Sequence, residues 1–261
     1  MKIYPQPFHL VTLRPWPILV SFNLLSTIIR LVNWFHNINF YYVIFNNIIL
    51  FICIYQWWRD VIRESSYQGF HTNLVLEGLK LGIILFIISE LFFFIRFFWC
   101  YLHIFLSPNI EIGNYWPPFG IFTFNPYNIP LLNTLILLRS GVSITLRHYY
   151  LIKNNIKLNY LYLLITVILG VIFTLFQLIE YMEAKFRIRD RIYGSIFFIG
   201  TGFHGLHVLI GSIYLIINLL RIYNKEFSKL HHFRFEAASW YWHFVDVIWL
   251  FLFILIYYWS S

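Results

Sequence analysis

Three groups of residues are of the types that move protons or hold metals, and each lies within a long apolar run. Glu90 sits near the centre of residues 78–106. An ionised carboxylate at the middle of a membrane span costs at least ~2.5 kcal/mol, so Glu90 should be protonated, shielded or paired. It is either a proton-linked or partner-binding carboxylate, or a protonated acid hydrogen-bonded to a neighbouring helix. Thr201-Gly-Phe-His204-Gly-Leu-His207 sets two histidines at i and i+3, neighbours on one helix face. Such a pair could hold a metal. A haem or copper centre, however, needs further ligands from other spans, and His103, His148 and His243 show no pairing spacing with these two. Interhelical hydrogen bonding is the expectation for His204 and His207, and no metal site is expected. Residues 235–249 carry Glu236, His243 and Asp246. His243 and Asp246, three apart, could form a proton relay or a buried Asp–His hydrogen bond. Glu180 and Glu183 end another run and are expected to face water. No catalytic residue is expected, since there is no nucleophile elbow, phosphate loop or zincin helix.

The elements that must position these residues are membrane helices. The chain of 261 residues is 60% hydrophobic and 11% charged, far from the near-quarter charge of soluble domains. About 20 apolar residues cross a bilayer. The runs at about 18–35, 40–58, 78–106, 129–150, 158–182, 192–223 and 235–259 therefore predict an all-α integral membrane protein of seven transmembrane helices, folded as a single polytopic domain. Residues 107–128, with Trp116-Pro-Pro118 and Asn125-Pro126, are too rich in turn formers to span. Cys53 and Cys100 lie in separate apolar runs and indicate neither a disulfide nor zinc. Neither an internal repeat nor a matched pair of interrupted spans is visible, which weakens an inverted-repeat carrier.

Between the second and third runs, Arg59-Asp60 and Arg63-Glu64 place two arginines four apart on one side of a helix end. They could hold a lipid phosphate bidentately, or form two surface ion pairs of little worth. Lys2, Arg59, Arg63, Lys80, Lys153, Lys157, Arg221, Lys225 and Lys229 fall on one side of a seven-span chain, against Lys185, Arg187, Arg189 and Arg191 on the other. The amino terminus is thus expected in the compartment of synthesis. The start is neither a signal nor a transit peptide. Only three alanines accompany abundant Phe, Tyr, Ile and Asn, a bias expected of an A/T-rich organellar genome. The net charge of +8 is scattered and forms no stripe for nucleic acid.

Trp57-Trp-Arg-Asp60 with Arg63-Glu64, Leu85-Phe-Ile-Ile-Ser-Glu90, Trp116-Pro-Pro118, Pro130-Leu-Leu-Asn-Thr134, Gly141-Val-Ser-Ile-Thr145, residues 201–208 and residues 235–247 together resemble subunit III of mitochondrial cytochrome c oxidase across nearly the whole chain. The resemblance implies two helices separated from five by a lipid-filled cleft. It implies no redox centre in this chain, with haem and copper held by partner subunits I and II, and further small subunits around them. The implied role is to sustain proton uptake, hold structural phospholipid and stabilise the catalytic subunit, in the mitochondrial inner membrane, with the amino terminus in the matrix and the carboxyl terminus in the intermembrane space. Trp58, Arg59, Arg63, His71 and Arg221 would contact phospholipid, and Glu90 would be the buried carboxylate facing the cleft. The alternatives are a stand-alone proton-coupled transporter using Glu90 and a redox enzyme with its own visible absorption.

Seven arginines depart from the family pattern: Arg14, Arg30, Arg96, Arg139, Arg147, Arg191 and Arg234 stand where the resemblance implies serine, glycine or alanine. Some mitochondrial codes read AGA and AGG as serine, and on that reading many of these are serines in the protein. Were all seven serine, the net charge would fall from +8 to +1. The alternative is true arginines that pair across helices. Gln6 also replaces a family histidine.

Overall fold

The computed structural model describes residues 8–36, 40–108, 110, 113–223, 227 and 232–260. Lys2, Gln6, Lys225 and Lys229 lie outside the described residues. The described chain is helical, with seven helices long and apolar enough to cross a membrane: α1 (Trp16–Phe35), α2 (Tyr41–Ser66), α3 (Asn73–Leu106), α4 (Ile129–Ile152), α5 (Ile156–Glu183), α6 (Arg191–Tyr223) and α7 (Phe233–Leu252), the last continued by a π-helical turn at Phe253–Tyr258. The chain divides into two compact units, Met1–Leu79 and Lys80–Ser261.

In the first unit, Val20 is the one buried residue of α1, and most large apolar side chains of that helix are exposed within the unit. The α1–α2 contact is held by polar groups at depth. The Asn46 side-chain amide donates to the Thr27 hydroxyl at 2.6 Å and to the Asn23 carbonyl at 3.0 Å. The Trp16 indole donates to the Asp60 carboxylate at 2.7 Å. Helix α2 does not stop where its apolar run ends at Trp58 but continues through Ser66. Arg, Asp and Glu are compatible with a helix, and nothing breaks it before Gly69, whose φ of +70° suits glycine and turns the chain toward α3.

The second unit comprises most of α3 with α4–α7. Asn154, at φ +61°, and Asn155, whose side chain accepts from the Leu158 amide, reverse the chain between α4 and α5. Its core is aromatic. Trp242 and Trp249 are fully buried, and Trp249 meets Phe173 edge to face at 4.8 Å between centroids. The Trp242 indole donates to the Ser140 hydroxyl at 2.9 Å.

Gly194 closes the α5–α6 turn, where an added Cβ would collide with the backbone carbonyl of Arg187. Gly194→Ala should therefore destabilise the subunit by about 1–3 kcal/mol through forced backbone movement. Gly205→Ala, with open space around its Cβ position, should not. Thermal denaturation of the assembled complex distinguishes the two.

Candidate functional site

Glu90 on α3 and His207 on α6, far apart in sequence, meet with Oε2 and Nε2 2.9 Å apart. The His207 side chain is 9% exposed and that of Glu90 25%. His207 Nδ1 lies 2.6 Å from the carbonyl oxygen of Phe203, one turn earlier on α6. A carbonyl only accepts, so Nδ1 carries a proton and donates it. The contact between Nε2 and Glu90 then needs one further proton. It sits either on the acid, donating to neutral imidazole, or on the imidazole, donating to carboxylate. Both arrangements give a pair of zero net charge, which avoids placing an isolated ion at depth.

The pair lines a cavity of about 420 Å³ whose other walls are mainly apolar, among them Ile83, Phe86, Phe93, Phe203, Leu206 and Ile210. The Phe94 ring lies edge-on to His207 at 5.1 Å. Tyr214 and Tyr241 are the other titratable groups among the residues lining it.

His204, one turn from His207, is turned into the helix bundle. It is 1% exposed, packed against Phe173 and Trp249, and its ring nitrogens have no hydrogen-bond partner among the described residues. On α7, His243 Nδ1 and Asp246 Oδ2 are 3.8 Å apart, beyond hydrogen-bond reach. Asp246 Oδ2 lies instead against α4, 2.8 Å from where a Cβ on Gly141 would stand, so Gly141 makes the room that the carboxylate occupies. Glu236 faces His232 at 3.1 Å.

In the first unit, Trp58, Arg59 and Arg63 follow one another along the end of α2. Trp58 is 58% exposed and Arg63 is exposed, while Arg59 reaches Asp60 at 3.4 Å. Glu64 is buried and pairs with Arg14 and, at 3.3 Å, with His9. His71 lies beside His9, with ring centroids 6.0 Å apart. In the second unit, Arg221 is buried near the end of α6, its guanidinium 4.8 Å from the Phe227 ring.

Two buried polar residues depart from expectation. Glu180 does not face water. It is fully buried, with Oε2 accepting from the Gln177 amide at 3.1 Å, because its face of α5 is turned inward, beside the buried Tyr257 of the π-helical turn. Only three-dimensional packing could reveal this, since the next acid along, Glu183, stands on an exposed part of the same helix end. Arg147 is fully buried in α4. Its Nε donates to Asn159 at 2.7 Å and its guanidinium stacks on Phe235, yet both terminal nitrogens lack a partner among the described residues.

Seven apolar helices, carrying their few buried polar groups toward one another, define a polytopic integral membrane protein. A family model described as cytochrome c oxidase subunit III matches residues 6–261. The chain is 55% identical over 256 residues to cytochrome c oxidase subunit 3 of Drosophila melanogaster, covering 98% of each chain. It is 54% identical over 254 residues to that of Rhipicephalus sanguineus, covering 97% of this chain and 99% of the relative. With the subunit of Osphranter robustus it shares 51% over 254 residues, 97% of each. The chain belongs to the cytochrome c oxidase subunit III family.

Proposed function

We propose that this chain serves cytochrome c oxidase as a non-redox core subunit that holds phospholipid, stabilises the catalytic subunit and sustains proton uptake. Electron transfer from cytochrome c to oxygen belongs to its partners, subunits I and II, which hold the haem and copper. The site is the mitochondrial inner membrane, with the amino terminus on the matrix side and the carboxyl terminus in the intermembrane space.

The observation that carries this reading is the Glu90–His207 pair. It is a neutral unit with one shared proton on the wall of an apolar cavity. His207 is tied on its other side to the Phe203 carbonyl, which offers a proton no onward path. This favours a role in anchoring α3 to α6 beside apolar ligand chains over a role as a relay. In Glu90→Gln, the amide N–H can still donate to neutral His207 Nε2. Assembly and oxygen reduction in the purified oxidase should therefore persist, with turnover stability or proton uptake reduced only modestly. Complete loss of oxygen reduction would assign Glu90 a direct part in the reaction and overturn the reading.

Trp58, Arg59, Arg63 and His71 suit phospholipid headgroups, with arginine forks for phosphate and an indole at the interface. Arg221 is assigned the same role in the second unit. Replacing Arg59 and Arg63 together by alanine should lower the phospholipid retained by the detergent-solubilised complex, as counted by mass spectrometry of extracted lipid. Retention equal to the wild type would leave these arginines to surface ion pairing. A stand-alone transporter would instead move protons or solute in vesicles holding this chain alone.

A further inference from the structure

The end of α4 and the start of α7 bring together three side chains that the assigned function does not use. His148 lies in the penultimate turn of α4, His232 is the residue preceding α7, and Glu236 stands in the first turn of α7. One nitrogen of each histidine and one carboxylate oxygen all lie within 4.8 Å of one another. His232 Nε2 and Glu236 Oε1 are 3.1 Å apart, and the two imidazole rings are 5.7 Å apart between centroids. His148 Nε2 is buried and has no hydrogen-bond partner among the described residues.

We propose that His148, His232 and Glu236 form a binding site for a divalent late first-row metal ion of the zinc class, which pins the end of α4 to the start of α7. Two imidazoles and a carboxylate are the donors such borderline ions prefer. Zinc bonds of about 2.0–2.2 Å in a tetrahedron set ligand atoms about 3.3 Å apart. The His232–Glu236 spacing of 3.1 Å is close to that value, and His148, within 4.8 Å of both, needs to close by at most about 1.5 Å. The fourth position falls to water. Each ligand alone is a common surface residue. The case for a site is that His148, whose Nε2 is buried and has no partner among the described residues, converges with a preformed His–carboxylate pair from another helix.

Among the charges near the site is Arg147, whose guanidinium stacks on Phe235 between the ligands His232 and Glu236 in sequence, and Arg234 lies between the same two ligands in the chain. Both cations oppose a bound dication. Both are also among the seven positions where serine decoding would remove the charge, so the site is stronger if those positions are serine. The inference does not rest on the lipid or proton role of the chain.

The test uses the purified oxidase, stripped with chelator and re-equilibrated with Zn2+ alone. Metal is counted by elemental analysis and located by anomalous X-ray scattering at the zinc edge. The expected result is one ion between the three side chains, lost in His232→Ala. Glu236→Gln should weaken it by more than about tenfold. His148→Cys should retain it, because a thiolate ligates zinc as well as imidazole does. His232 lies outside the spans, so that variant keeps the test alive if His148 variants fail to assemble; retention of this chain in the purified complex at the wild-type ratio to its partners certifies the fold. Equal zinc in wild type and His232→Ala, or a scattering peak elsewhere, overturns the proposal.

Discussion

Trp242→Ala should prevent stable accumulation of the subunit. The side chain is fully buried where four helices meet. From α7 it donates to Ser140 on α4 at 2.9 Å, and its ring fills the space left by Gly170 on α5 and Gly211 on α6. Truncating a buried tryptophan costs about 3–5 kcal/mol because the cavity relaxes only partly, a large share of the roughly 5–15 kcal/mol that holds a typical domain together. The reverse fault should do similar damage. A Cβ on Gly170 would stand 2.7 Å from the Trp242 ring, and a leucine there has no room to enter. Trp242→Phe keeps most of the packing and loses one hydrogen bond, worth about 1 kcal/mol. The expected order of thermal stability of the assembled complex is wild type, then Trp242→Phe, with Trp242→Ala and Gly170→Leu far below. Equal stability of Trp242→Ala and wild type would mean that the aromatic layer does not organise this unit.

The second large effect concerns residue 147. A fully buried guanidinium with two nitrogens lacking acceptors among the described residues carries a cost of several kcal/mol, about 1–3 for each orphaned donor beyond the penalty for the ion itself. No acid among the described residues accompanies it; Asn159 takes one N–H and Phe235 the π-face. A serine at this position would hydrogen-bond to the carbonyl one turn back on α4 or to Asn159, and the cost would vanish. Peptide mass spectrometry across residue 147 should therefore return serine, and the codon should be AGA or AGG. A CGN codon or an arginine mass would instead require an acceptor for the two free nitrogens. The same measurement at Arg14 decides whether Glu64 has a true arginine partner beside His9.

Much of the fold was legible because lipid imposes one rule, that a spanning helix be apolar for about 20 residues. Residues 78–106 were read as one helix for that reason, and α3 covers them. The four-residue spacing of Arg59 and Arg63 places them on a helix end, but the extent of α2 to Ser66 is not legible, since hydropathy ends a span where charge begins whereas the backbone needs only residues compatible with a helix. At the site, the chemistry of Glu90 and His207 was visible singly, but their meeting was not. Spacing arguments detect pairs three or four apart on one helix, and Glu90 and His207 are 117 residues apart. His148 and His232 escaped for the same reason. The position of Glu180 near a helix end suggests water, while its exposure is set by the face of α5 on which it stands, turned inward beside Tyr257. Asp246 and His243 carried the right spacing for a pair, yet rotamers send the carboxylate toward Gly141.

The central claim is that the buried polar groups of this chain tie its helices together and hold lipid while redox chemistry resides in other subunits. Native mass spectrometry of the oxidase released gently from membranes, with optical spectra of each dissociated chain, tests it most directly. The account predicts that this chain leaves the complex carrying phospholipid and absorbing no visible light, with all haem and copper remaining on its partners. Visible absorption by the isolated chain, or oxygen reduction by it without companions, would contradict the account.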